Sequence, residues 1–207
     1  YKMSGTITAK GDLTIMGELN ESTLRPPAIQ SAVLADGSTV GTLFVLTGDE
    51  SEGNFENLYL LAQATNGVAS GVAIEVKGDE TDLFVGNCVF DGFHTFAIAY
   101  NGQWDNFYIW GNVFRNLVHP NQWYIGEVLR NTWPGEAYTG EVWMEENLMI
   151  GVNGYAAAPV SKWYMESFNF NGNAVVFTFK NPFFIFNMTE GEMNGNVFYG
   201  NYAGGVD

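Results

Sequence analysis

Apolar residues in this chain come in short runs broken by polar turns, without the three-and-four spacing of an amphipathic helix. Two landmarks alternate. The first is an apolar strand running into a polar turn, as in LFVLTGDE (43–50), VAIEVKGDE (72–80), FAIAYNGQW (96–104), EVLRNTWPG (127–135) and FFIFNMTEG (183–191). The second is an aromatic or aliphatic strand meeting asparagine, in FENLYL, LFVGNCVF, FYIWGNVF, VWMEENLMI and EMNGNVFYG. Its asparagines at 57, 87, 112 and 147 lie 30, 25 and 35 residues apart. The next, Asn196, leaves room for one degenerate copy around 162–173. Unequal spacing excludes a strict propeller. It fits a coil with strands of fixed length and turns of variable length.

Asparagine and glycine both tolerate the left-handed backbone of a sharp turn, and stacked asparagine amides can hydrogen-bond from one coil to the next. Asn87, Asn112 and Asn196 are therefore expected in an internal ladder. Val45, Ile74, Ile98, Leu129 and Ile185 should share one inward row. One detail resists: Phe90 follows its asparagine by three residues, whereas Phe114 and Phe198 follow theirs by two. A slip of one residue reverses the buried face of a strand, so GNCVF carries a bulge or the stack changes there.

The pattern resembles the pectate-lyase-like parallel β-helix family over residues 5–200. KGDLTIMGE…RPPAI (10–29) is similar to the first coil of many secreted bacterial β-helix proteins, relatives of chondroitinase-B-type lyases among them. The resemblance implies an all-β, single-stranded, right-handed parallel β-helix of about six to seven irregular coils, in one domain spanning 1–207. Composition agrees: 25 Gly and 21 Asn supply turns, and 16 Phe, 10 Tyr and 6 Trp favour strands.

Charge narrows the partners. Eight basic against 23 acidic residues give a net charge of −15, and the few arginines and lysines are scattered, so nucleic acid and anionic polysaccharide would be repelled. No apolar run is long enough for a transmembrane helix. Cys88 is alone, so no intrachain disulfide forms. The chain begins YKMSG, without a signal-peptide pattern, and reads as a processed mature form or a trimmed fragment.

Five groups of residues are candidates for chemistry. GDE recurs at 48–50 and 78–80, one repeat apart, so Asp49, Glu50, Asp79 and Glu80 should cluster on adjacent coils. A Ca²⁺ ion would relieve their repulsion, but exposed turn carboxylates pointing apart into water, partly neutralised by Lys77, explain the pattern better; no cofactor is required. Trp123, Trp133 and Trp143 lie in the longest insertion, where they either pack over the flank of the coil or present flat faces to glycans or a partner protein. Arg115, Arg130, His119 and Glu127 are close enough in sequence to meet on one face, as a lyase of this fold class would require, yet they match no catalytic motif. His94 and His119 lie one coil apart, and Asn20 and Asn187 begin glycosylation sequons.

These features predict a non-catalytic structural or adhesive solenoid, extracellular or at the cell surface. Its expected partners are copies of itself, stacked end to end into filaments, or surface glycans. The alternative is a carbohydrate-active, polysaccharide-lyase-like enzyme or a glycan-binding module on the same fold.

Overall fold

The computed structural model describes residues 1–207 except 64–65, 120, 122–125, 133–137, 156, 159–163, 179–187 and 201–207. Among the described residues there is no helix, and the strands form three sheets whose named strand pairs all run parallel. Sheet 1 comprises Lys2–Met3, Ala28–Ser31, Tyr59–Leu61, Val89–Asp91, Val113–Leu117, Leu148–Val152, Ala174–Thr178 and Val197–Tyr199. Sheet 2 comprises Ile7–Ala9, Thr42–Leu46, Val72–Val76, Phe96–Tyr100, Glu127–Asn131 and Ala157–Ala158. Sheet 3 comprises Leu13–Met16, Glu52–Glu56, Asp82–Gly86, Asp105–Trp110, Tyr138–Glu145, Tyr164–Asn171 and Met188–Asn194. The chain visits sheets 1, 2 and 3 in turn, then lays the next coil on the last. The protein is an all-β parallel solenoid.

Alternation along each strand sends every second side chain inward, which builds apolar rows along the axis. Phe44, Ile74, Ile98 and Leu129 stand opposite one another in sheet 2, all fully buried. Val45 does not belong to that row. It is in register with Glu75, Ala99 and Arg130, one residue over and hence on the opposite face. Ile185 lies outside the described residues. In sheet 1, Leu60, Phe90, Phe114, Met149 and Val175 form a second inward row, with the Phe90 and Phe114 rings stacked at 4.8 Å.

The slip at GNCVF resolves here. Phe90 pairs with Phe114 and Val89 with Val113, so Cys88 is the counterpart of Asn112 and Asn87 of Gly111. Glycine and asparagine in "GN" therefore have separate tasks. The first position turns the chain with positive φ, at Asn57 (54°), Asn87 (52°), Gly111 (64°), Glu146 (54°), Gly172 (65°) and Gly195 (64°). The second points inward and is Leu58, Cys88, Asn112, Asn147, Asn173 and Asn196 in successive coils.

Asn112, Asn147, Asn173 and Asn196 are linked in series by side-chain amides, Nδ2 to Oδ1, at 3.0, 3.0 and 3.3 Å. Each Oδ1 also accepts the main-chain N–H of the preceding coil, and each Nδ2 donates to a sheet 3 carbonyl such as Val85 or Ile109, both at 2.9 Å. Asn87 is not on this ladder. It is exposed and holds the turn with φ 52°, while Gly86 before it lies under the Trp110 indole, 2.4 Å from where a β-carbon would be. Cys88 takes the rung instead, with Sγ 3.5 Å from the Phe55 carbonyl and its thiol pushed up to about 12 by burial, so it is an inert filler.

Candidate functional site: the outer face of sheet 3

The inward residues of sheet 3 leave its alternate positions facing out. Three rows result, running across the strands. The middle row is Asn54, Phe84, Tyr108, Trp143, Asn169 and Glu192. Phe84 and Tyr108 stack at 4.8 Å and 11°, near the ~4.8 Å spacing of neighbouring strands. Trp143 follows, 37% exposed, and its Nε1 donates to Glu141 Oε2 at 3.0 Å. The Tyr108 hydroxyl sits 3.5 Å from the same oxygen. Burial and then the carboxylates of Glu141, Asp82 and Glu166 hold the Tyr108 phenol above its usual range.

The flanking row begins Glu52, Asp82 and Asn106, where Asn106 Nδ2 donates to Asp82 Oδ1 at 2.8 Å. The strand Tyr138–Glu145 carries one extra residue against it, placing Gly140 where a β-carbon would strike Asn106 Oδ1. At the corner before sheet 3, Trp104 (φ 60°, 41% exposed) stacks on Tyr138 at 5.1 Å and leans on Tyr164 at 5.8 Å.

Two grooves run along this face. One, of about 740 Å³, is lined by Asp12, Glu52, Glu80, Asp82, Trp104 and Glu166 among others. The other, of about 560 Å³, uses Glu141, Trp143, Tyr164, Glu166, Glu190 and Glu192. The strands of sheet 3 contain nine Asp or Glu and no Lys, Arg or His. The face is thus a ladder of rings set among carboxylates.

The acidic turns stack as their spacing predicted. Asp79 N–H donates to Asp49 Oδ1 at 3.0 Å, and Gln103 N–H to Asp79 Oδ1 at 2.8 Å. Glu50, Glu80 and Trp104 share the left-handed corner position. Each Asp thus spends an oxygen on a neighbouring coil, and the side chains are exposed. Among the described residues no three His, Cys, Asp or Glu side chains are grouped to hold a metal ion. Lys77 is turned away, paired with Glu75 at 3.2 Å. Behind the corner lies Asp105, fully buried, whose Oδ1 accepts the Thr81 N–H at 3.0 Å and whose Oδ2 has no partner. Burial pushes its carboxyl up to about 8, helped by Asp79, Asp82 and Asp49.

The arginines do not converge. Arg115 is on sheet 1, bound through Nε and Nη2 to Asp91 Oδ2 at 2.9 and 2.8 Å, with the Tyr59 hydroxyl donating to the same oxygen. Arg130 and Glu127 pair on sheet 2 at 3.3 Å. His94 and His119 do meet, rings 5.3 Å apart, and burial lowers His94 below its ordinary value. Trp123, Trp133 and Asn187 lie outside the described residues. Of the three expected glycan-facing tryptophans, Trp143 is therefore the one that can be placed. Its neighbours Phe84, Tyr108, Trp104 and Trp110 were missed, although alternation in DLFVG and DNFYIW marks Phe84 and Tyr108 as outward once the coils are aligned. No family model matches this chain, and neither does any curated protein or solved structure.

Proposed function

We propose that this protein is a non-catalytic adhesive solenoid, secreted or held at a cell surface, that binds an extended polysaccharide along the outer face of sheet 3. The observation that carries the reading is the row Phe84–Tyr108–Trp143, three rings at successive rungs on an outer face. Phe84 and Tyr108 stack face to face and support the exposed Trp143 indole beside them, whose amphipathic ring can receive the C–H face of a sugar with little loss of side-chain entropy. The coil pattern's resemblance to pectate-lyase-like proteins agrees with a carbohydrate partner. The lyase alternative is less supported, because Arg115 and Arg130 stand on different sheets, each engaged with an acidic partner.

Co-sedimentation with insoluble polysaccharides tests the reading. Retention of the wild type and its loss in Tyr108→Ala/Trp143→Ala, with an unchanged melting temperature, is expected. Equal retention of both proteins refutes the aromatic face. Release of sugars or unsaturated products from the polysaccharide refutes the non-catalytic assignment.

A further inference from the structure

Resting on the glycan reading of sheet 3, we propose that the polymer it takes is cationic: a chain of amino sugars carrying protonated, unacetylated amines. Charge complementarity selects this occupant. Three ion pairs occur among the described residues, Lys77–Glu75, Arg115–Asp91 and Arg130–Glu127, and none of them involves sheet 3. Its carboxylates are oriented instead by neutral donors. Glu141 is held by Trp143 and Tyr108, Asp82 by Asn106, and Glu52 by Asn54. Such hydrogen bonds fix direction without cancelling charge. The face therefore carries a standing negative potential, and its counter-charge must come from outside the sheet.

The grooves specify more than a cloud of counterions. Glu166 lines both of them, so acidic positions continue from Glu80 and Asp82 at one end to Glu190 and Glu192 at the other. Between them stand Trp104, Tyr164 and Trp143. A ligand must then offer positive charge repeated along its length together with flat apolar faces, and amino-sugar chains combine both. An ammonium over an indole or phenol gains cation–π attraction as well. A neutral glycan would use the carboxylates only as hydrogen-bond acceptors and leave their charge uncompensated, and an acidic one would be repelled.

The test is calorimetric titration with glucosamine oligomers and with their fully N-acetylated counterparts, at mildly acidic pH where the sugar amine is protonated. The deacetylated oligomer should bind at least ~10-fold more tightly, about 1.4 kcal/mol, and the advantage should shrink as salt shortens the Debye length. Asp82→Asn/Glu166→Gln should erase most of the advantage, whereas Glu75→Gln on sheet 2 should keep it. Equal affinity for both oligomers overturns the amino-sugar inference and leaves the glycan face standing. Loss of binding to both refutes the glycan reading itself. Poly-lysine binding as tightly as the glucosamine oligomer, and unaffected by Trp104→Ala, also overturns the proposal, since charge alone would then explain retention.

Discussion

The corner where sheet 3 returns to sheet 1 and the corner where sheet 2 enters sheet 3 both stack a polar side chain on its counterpart one coil away. At the first, the groups are amides, buried and joined in both directions: Asn147 accepts from Asn112 and donates to Asn173 and the Ile109 carbonyl. At the second they are carboxylates, exposed, and each can only accept. That second stack runs Asp49, Asp79, Gln103 and is followed on its outer side by Trp104. An amide carries a donor and an acceptor, so it can be repeated in a dry interior without leaving a group unpaired. A carboxylate cannot, and its stack needs water or a ligand to complete it. The buried corner therefore serves stability, and the exposed one is free to serve recognition.

Breaking the amide stack should have the largest effect. Asn147→Leu leaves the Asn112 N–H and the Ile109 carbonyl without this partner, and Asn112 Nδ2 with only its bond to the Val85 carbonyl. At ~1–3 kcal/mol for each of the two buried groups left unpaired, the expected loss is roughly 2–6 kcal/mol, read from chemical denaturation. A loss below ~1 kcal/mol would mean that water enters the ladder and that the two corners do not differ as argued.

The second prediction separates the corners by pH. Asp105 sits behind the carboxylate corner with its folded pKa raised from 3.8 to about 8. A raised folded pKa gives stability that is fully present below the unfolded value and lost as pH rises through the folded one. The protein should thus lose stability between pH ~4 and ~8, by at most ~1.4 kcal/mol per pH unit from this group. Asp105→Asn should flatten that slope and be the more stable form at pH ~9, whereas the amide ladder has no group that titrates in this range. A wild-type melting temperature flat from pH 5 to 8 would place Asp105 in contact with water.

Near the carboxylate stack itself effects should be small. Asp79→Ala removes one exposed acceptor from the Gln103 N–H, which solvent can replace, so the cost should stay within ~1 kcal/mol. Chelator should leave the melting temperature unchanged, since Asp49 and Asp79 each already give Oδ1 to a main-chain N–H of a neighbouring coil and are exposed to water. A fall on adding chelator would restore the Ca²⁺ reading.

The coil architecture was legible in the sequence because the two landmarks recur through the chain, and the GDE copies were correctly placed on adjacent coils by their shared spacing of 30. What the letters hid was the division of labour inside GN. Glycine at 111, 172 and 195 and asparagine at 57 and 87 do the same job, so an alignment on asparagine merges turn with ladder. The departure of Phe90 by one residue held the answer, since it requires Cys88 to be the rung. Val45 was misplaced for a different reason: within LFVL every residue is apolar, and alternation cannot be read from it. The aromatic face escaped because it forms across strands 24 and 35 residues apart, where no short motif exists.

The smallest effect should come from lengthening the ladder. Cys88 already occupies a rung: its N–H donates to Asn112 Oδ1 at 2.8 Å, and its sulfur approaches the Phe55 carbonyl as Asn112 Nδ2 approaches that of Val85. Phe55 and Val85 are partners in sheet 3, so the two rungs are equivalent. Cys88→Asn should then place Nδ2 on the Phe55 carbonyl and on Asn112 Oδ1, adding up to two hydrogen bonds of ~0.5–1.5 kcal/mol each. Against this stand the larger amide in a packed site, which costs ~1–3 kcal/mol when neighbours cannot yield, and Leu58 above it, which offers no side-chain donor or acceptor. The net change should lie within ~1 kcal/mol of zero, while the same substitution at a neighbouring inward position, Phe90→Asn, should unfold the protein. A loss above ~3 kcal/mol in Cys88→Asn would show that the ladder begins at Asn112 for lack of room, and not because the earlier coils replaced amide with apolar contact.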